Sequence, residues 1–231
     1  MSERISIIVP VYNEAGTVAS VIERLFAIDL PAPREIIVIN DGSRDETRAQ
    51  LDGIARRHDL VVIHHDRNRG KGHAVRLGFS RATGTIVAIQ DADLELDPAQ
   101  LADLVGPILR GDTQVVYGSR FSTGAAGTPW ASYAANRVLT AITNVLYGGA
   151  LTDMETCYKV MRTSVAQSLG LTADRFDIEP EITAKLLRHG HRIIERPVRF
   201  SPRSRAAGKK IGWKDGVAAI GLLIRYRCSA R

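Results

Sequence analysis

Two carboxylates one residue apart, Asp91-Ala-Asp93, follow directly on the run Thr85-Ile-Val-Ala-Ile-Gln90, and Glu95 stands two places further on. The β-branched run reads as a strand buried inside a parallel sheet. Open α/β sheets place their ligands at the carboxyl ends of such strands. Three hard oxygen donors there suit Mg²⁺ or Mn²⁺ holding a phosphorylated substrate. A solvated turn carries the same spacing, so the neighbouring segments have to decide.

Those neighbours repeat the arrangement. Pro10-Val-Tyr-Asn-Glu14 and Asn40-Asp-Gly-Ser43 also end β-branched runs. A carboxylate at Asp41 can accept from a base N–H or a ribose hydroxyl, Tyr12 can stack on a base, and Glu14 can bond a ribose. Asn68-Arg-Gly-Lys-Gly72 is neither a Walker loop nor a dinucleotide fingerprint, because the required residues and spacing are missing. Its glycines would let backbone approach a ligand closely, and Lys71 at a helix start would meet phosphate as a point charge. His64, His65 and His73 have no ligand spacing with each other or with cysteine. Cys157 and Cys228 are too few for a disulfide framework and carry no catalytic motif, so both read as reduced thiols.

The elements that position these residues follow from periodicity. Strands are expected at 5–10, 35–40, 60–64, 85–90, 114–119 and 192–200, and helices at 15–27, 72–82, 133–146, 179–188 and 217–227. Ser43 and Glu46 fit a capping box opening a further helix that runs to about His58. Met154 and Met161 flank one more core strand. Alternating strands and helices imply an α/β fold with a doubly wound, mostly parallel sheet and helices on both faces. Right-handed crossovers then bring the 10–14, 40–43 and 91–95 loops to one edge. One domain over 1–231 is expected. It would divide into a first half, 1–112, and a second, 113–212, with a basic lid loop at about 201–212, followed by an amphipathic helix at 213–231.

The chain has 231 residues, is 45% apolar and carries a net charge of +6. That excess calls for an anionic partner. It concentrates between Arg196 and Lys214, where no acid interrupts seven Lys and Arg residues. The N-terminus does not read as a signal peptide, and no apolar run reaches the ~18 residues of a spanning helix. A cytoplasmic protein, peripheral at most to the membrane face, is the expectation.

The ordered set Pro10–Glu14, Asn40–Ser43, Asn68–Gly72 and Asp91–Glu95 resembles the family 2 glycosyltransferases, with their nucleotide-sugar-binding GT-A fold. Tyr117-Gly-Ser-Arg-Phe121, Thr152-Asp-Met-Glu-Thr-Cys-Tyr-Lys159, Glu179-Pro-Glu181 and Gly208–Gly216 are similar to the polyprenyl or dolichyl phosphate hexosyltransferase branch. The resemblance implies a hexose donor, GDP-mannose or UDP-glucose, a polyprenyl phosphate acceptor and a Mg²⁺ or Mn²⁺ cofactor. Metal would sit on Asp91, Asp93 and Glu95. Residues 1–112 would then be the nucleotide-sugar-binding half, where the donor meets Pro10, Tyr12, Glu14, Asp41, Lys71 and Asp91, and 113–212 the acceptor-side half. Arg120, Arg137, Arg205, Lys209 and Lys210 would gather the acceptor phosphate. Asp93, Arg120, Asp153 and Glu181 would serve the reaction, with Asp153 or Glu181 near the sugar. A lipid phosphate is already ionised at neutral pH and needs no strong base, whereas a sugar acceptor would call for an acid near 153–155. A homodimer or a membrane-anchoring partner is also open.

Three rivals remain. One is a family 2 enzyme with a soluble sugar or glycan acceptor. A sugar nucleotidyltransferase would carry a Gly-rich basic loop where Val11–Glu14 stands. A nucleic-acid-binding protein would interleave aromatics with its basic stretch, which holds only Phe200 and Trp213.

Overall fold

The computed structural model describes residues 2–124, 127–202 and 213–228. A single seven-stranded sheet runs through it, with β1 (Ile5–Val11), β2 (Arg34–Asn40), β3 (Val61–His64), β4 (Ile86–Ile89), β5 (Val115–Ser119), β6 (Lys159–Arg162) and β7 (Ile193–Pro197). Their order across the sheet is β3-β2-β1-β4-β6-β5-β7. The pairs β2–β3, β1–β2, β1–β4 and β5–β7 are parallel. The sheet is therefore mostly parallel, as the alternating pattern requires, except that β6 runs antiparallel to both β4 and β5. β6 is only Lys-Val-Met-Arg, too short to show a direction in its sequence.

Side chains alternate faces along each strand, and two cores result. Ile5, Ile7 and Val9 of β1 join Ile36, Val38, Ile86 and Ala88 beneath α1 (Val18–Ala27), α2 (Thr47–Ala55) and α4 (Leu101–Leu109). The opposite parity, Ile8, Ile37, Ile39, Val87 and Ile89, packs on α3 (Lys71–Arg81), α6 (Thr163–Ser168) and α7 (Ile178–Arg188). Helix α4 was missed by the pattern reading, although Leu101, Leu104, Val105 and Ile108 fall at helical spacing and are buried.

The capping box is corrected. Helix α2 starts at Thr47 with no side-chain cap on its N-cap residue. Ser43 Oγ instead accepts from the Asn13 N–H at 2.9 Å. Asp45 accepts from Thr47 N at 3.1 Å and from Ala15 N at 3.2 Å. The group that spacing assigned to the helix thus clamps the loop after β1 to the loop after β2.

A smaller cluster forms where α8 (Trp213–Cys228) lies against α5 (Trp130–Tyr147) and α7, with Ala219 and Leu223 buried beside Leu139, Met154 and Ala184. Tyr147 donates to the Leu223 carbonyl at 2.6 Å. The apolar side of the terminal helix is thus turned inward on its neighbours. Among the described residues no helix is long and apolar enough to cross a membrane.

Candidate functional site

Strand β1 is the switch point of the sheet, with β2 on one side and β4 on the other, all three parallel. Their carboxyl ends open a crevice of the kind that receives ligands in open α/β sheets. The loops carrying Tyr12 and Glu14, Asp41, and Asp91 to Glu95 all leave from this edge. Both non-glycine residues with positive φ among the described residues lie here, Asn13 at 53° and Leu94 at 61°. Backbone held in sparsely populated regions clusters at ligand-binding sites, where surrounding contacts enforce it.

Asp41 is buried, and its carboxylate organises the next loop. It accepts from His65 Nδ1, Asn68 Nδ2, Arg69 N and Gly70 N, at 2.7 to 2.8 Å. Four donors occupy both oxygens, so its first task is to shape the floor of the crevice. Gly70 adopts φ 103°, and a Cβ there would meet the Asp174 carbonyl oxygen at 2.2 Å. Gly72 is equally close to Ala173 O. The glycines admit the 173–175 backbone, where the sequence suggested a ligand. The first N–H groups of α3 follow suit, with Gly72 N donating to Arg175 O and His73 N to Asp174 O.

Lys71 reaches across the sheet edge. Its Nζ lies 2.8 and 3.0 Å from the two Asp91 oxygens and 3.0 Å from Glu179 Oε1 on α7. Glu179 Oε2 in turn accepts from Lys159 Nζ at 2.5 Å, and Lys159 also donates to the Met154 carbonyl. A chain of alternating charge, Asp91–Lys71–Glu179–Lys159, buried at Glu179 and Lys159 and partly buried at Asp91 and Lys71, therefore joins the first half of the protein to the second. Burial opposes the Lys71 ammonium, but Asp91 and Glu179 outweigh it and hold its pKa above the ordinary value. Burial likewise opposes the Asp91 carboxylate, and Lys71 lowers its pKa overall. The Cys157 thiol donates to Asp91 from this interior, and burial followed by the Asp91 charge pushes its pKa well up. Neither Cys157, Lys159 nor Glu179 was singled out from the sequence as a site residue. The only signal was their occurrence within the quoted motifs.

Asp93 and Glu95 are partly buried beside this chain, and Asp93 Oδ1 accepts from Glu95 N at 3.2 Å. Among the described residues no three His, Cys, Asp or Glu side chains converge to hold a metal alone. Asp91, Asp93 and Glu95 thus do not form a closed cage. One or two carboxylates at a strand end fit a Mg²⁺-type ion completed by substrate phosphate and water.

The acceptor-side residues separate. Arg120, following β5, makes a bidentate pair with the fully buried Asp153, Nε and Nη2 each 2.7 Å from an oxygen. Its pKa is raised because the Asp153 bonds outweigh burial, and its guanidinium lies over the Phe121 and Phe200 rings. Asn136 of α5 donates to Asp153 at 2.9 Å, and Arg137 donates to the Thr152 carbonyl from an exposed position. Glu181 does not join this group. Its carboxylate accepts from Thr172 N, Ala173 N and Tyr226 Oη and pairs with Lys185 at 2.8 Å, tying α7 to α8 and to the 172–173 loop. Bonds from Lys185 and Tyr226 outweigh burial and lower its pKa. Glu179, two residues earlier on the opposite side of α7, is the acid that pairs with Lys71. Pro10, Tyr12 and Glu14 stay at the crevice, where Thr17 donates to Glu14 Oε2. Arg205, Lys209 and Lys210 lie outside the described residues.

Glu155 stands between these groups. Its Oε1 is buried and has no hydrogen-bond partner among the described residues. Burial raises its pKa from 4.5 to about 7; Lys159 and Arg120 pull it down, and Glu179 and Asp153 push it up.

A mostly parallel sheet with carboxylates gathered at its switch point defines the GT-A class of α/β folds. The chain belongs to glycosyl transferase family 2, whose pattern matches residues 6–170. It is 27% identical over 218 residues to the low-salt glycan biosynthesis hexosyltransferase Agl6 of Haloferax volcanii, covering 91% of this chain and 51% of that protein. Identity to the dolichol-phosphate mannosyltransferase of Pyrococcus furiosus is 26% over 216 residues, or 90% of this chain and 60% of that one. The chain thus spans about half to three fifths of the length of these curated relatives. Among solved structures, glucosyl-3-phosphoglycerate synthase from Mycobacterium tuberculosis, in complex with Mn²⁺, UDP and phosphoglyceric acid, superposes with a TM-score of 0.74 at 20% identity. That match covers 99% of this chain and 80% of the other.

Two variants test the geometry. Replacing Glu179 by Gln leaves the buried Lys159 ammonium without its carboxylate partner and removes one of the two carboxylates on Lys71, and urea unfolding should show a loss of about 3–5 kcal/mol. The Glu155→Gln change tests the raised carboxyl. Between pH 4.5 and about 7 the folded chain holds a proton that the unfolded chain has released. Glu155 therefore lowers stability as pH rises through that window and no further above it. The variant should lack this slope and gain up to about 3 kcal/mol over the parent at pH 8 relative to pH 4. Parallel stability profiles for the two proteins would contradict the raised pKa.

Proposed function

We propose that the chain transfers a hexose from a nucleoside diphosphate sugar to a polyprenyl phosphate, with inversion at the anomeric carbon. The observation that carries this reading is the Asp91-Ala-Asp93 pair at the end of β4, beside the switch point and next to the loops after β1 and β2. The nucleoside would lie along Pro10, Tyr12, Glu14 and the Asp41-shaped loop. Asp93, with Asp91 behind it, would hold Mg²⁺ or Mn²⁺, which when bound neutralises the departing diphosphate. Lys71 fixes Asp91 in its ionised form and adds positive charge on the same side. Arg120, locked by Asp153, presents a rigid cation toward the acceptor side, where two anions must be brought together. Arg137 and the Arg205, Lys209 and Lys210 segment would add charge there.

The polyprenyl phosphate acceptor is supported by the names of relatives, which include the archaeal dolichol-phosphate enzyme and a dodecaprenyl-phosphate galacturonate synthase of Rhizobium johnstonii. A phosphate nucleophile is ionised at neutral pH, so the site needs no strong base. Work at the cytoplasmic membrane face follows from that acceptor.

One observation favours a second reading. Glu155, its pKa near 7, is poised to take a proton from a hydroxyl nucleophile, and that would suit a sugar acceptor. Glu155→Gln separates the two readings. Transfer to a lipid phosphate should survive within a fewfold, whereas transfer to a hydroxyl should fall by 10²-fold or more.

The first experiment is calorimetric titration with GDP-mannose and with UDP-glucose, each with and without Mn²⁺. Tight, metal-dependent binding of one donor is expected, together with its loss in Asp93→Ala at unchanged thermal stability. Binding of neither donor with metal present would overturn the transferase reading.

A further inference from the structure

Helix α5 has two unlike faces. Its inner side carries Asn136, hydrogen-bonded to Asp153, and the buried Leu139 and Thr143. Its outer side exposes Trp130 by 78%, Val138 by 55% and Val145 by 85%. In an α-helix these positions, with Ala134 and Ala141 between them, share one stripe. The helix contains no acid, and Arg137 borders the stripe. A contiguous exposed apolar surface on a soluble face marks an interaction site.

The second observation comes from α8, which meets the carboxyl-terminal end of α5. Its Ile224 is half exposed. Arg227, with Arg188 of α7, lines a cleft whose other walls include Val145, Leu146 and Tyr147. No acid follows Asp215 in the chain, while Arg225 and Arg227 stand on the last turn of α8. An apolar stripe ending in arginines is complementary to the apolar interior and anionic headgroups of a bilayer. An indole at the other end suits the headgroup level.

A third observation ties this face to the chemistry. From exposed Trp130 the rings run inward, Trp130 to Tyr133 at 6.1 Å and Tyr133 to Phe121 at 5.1 Å, and Arg120 lies over Phe121. An aromatic path thus leads from the stripe to the Arg120–Asp153 pair.

We propose that the outer face of α5, with Ile224, Arg225 and Arg227 of α8, is a docking surface for an anionic lipid bilayer. Docking there sets the acceptor side of the crevice about one helix diameter, ~10 Å, from the headgroups. The choice of a lipid surface over a second copy of the chain rests in part on the proposed lipid acceptor. It places the membrane contact on α5 and the last turns of α8.

The test uses the full chain and vesicles of phosphatidylcholine, alone or mixed with phosphatidylglycerol, without any sugar nucleotide. Flotation should recover the protein with the mixed vesicles, less so as salt is raised, and not with phosphatidylcholine alone. In a Trp213→Phe background, Trp130 emission should shift to the blue on mixing. The pair Val138→Asp with Val145→Asp should abolish both signals. Arg225→Glu with Arg227→Glu should weaken binding at least tenfold. Val138, Val145, Arg225 and Arg227 are exposed, so the melting temperature of these variants should match that of their Trp213→Phe parent. A protein that stays with the solvent and shows no blue shift overturns the proposal. So does a dimer in sedimentation that the Val145→Asp change dissolves, since a second copy would then own the face. Vesicle binding is read without donor, and donor binding without vesicles, so each proposal fails by its own measurement.

Discussion

The alternation of charge along Asp91, Lys71, Glu179 and Lys159 is the constraint on which the rest of this structure depends. Isolated charges of this kind would be prohibitively costly inside a protein, and each is tolerable only because the next one lies within about 3 Å of it. The chain begins at the carboxyl end of β4, passes the first residue of α3, crosses to the first turn of α7 and ends at the start of β6. Four elements distant in sequence are therefore fixed to one another by charge. The glycines at 70 and 72 exist in this context, because any side chain there would keep the 173–175 backbone from closing over α3.

The same constraint explains the division of labour among the acids. Asp91 is committed to Lys71 and Cys157, Asp41 to its loop, Asp153 to Arg120 and Glu181 to the 172–173 loop and α8. Each is a positioning carboxylate whose oxygens are already occupied. Asp93 and Glu95 stand beside them, on a loop whose Leu94 is held at positive φ. Near Arg120 stands Glu155, its carboxyl pKa raised by burial to about 7. A rigid, pre-formed charge pattern of this sort favours reactions in which charge separates, since nothing need reorganise as it develops.

Packing then carries the pattern outward. Helix α5 holds Asp153 through Asn136 on one side and is apolar on the other, so the Asp153–Arg120 pair and the exposed stripe lie on two faces of one rod. Helix α8 covers the end of that rod and, through Tyr226, reaches Glu181 and Arg188 of α7. The terminal helix is thereby an integral brace of the chain's second half.

The sequence by itself determined the alternating α/β pattern, the three loops at the sheet edge and the family resemblance. Strand runs such as Ile5–Val9 and Glu35–Ile39 and the motifs that end them are local signals, read from a handful of consecutive residues. Helix α4 was equally local and could have been found from Leu101, Leu104, Val105 and Ile108. What only the tertiary structure decided was which acid faces which partner. Glu179 and Glu181 are two residues apart on the first turn of α7, about 200° around the helix. Sequence reasoning favoured Glu181, but the docking of α7 on the sheet turns Glu179 to Lys71 and Glu181 to α8. The antiparallel sense of β6, the true use of Gly70 and Gly72 and the inward-facing α8 are decisions of the same kind. Each depends on contacts between segments well separated in sequence, and no local spacing records the orientation in which those segments meet.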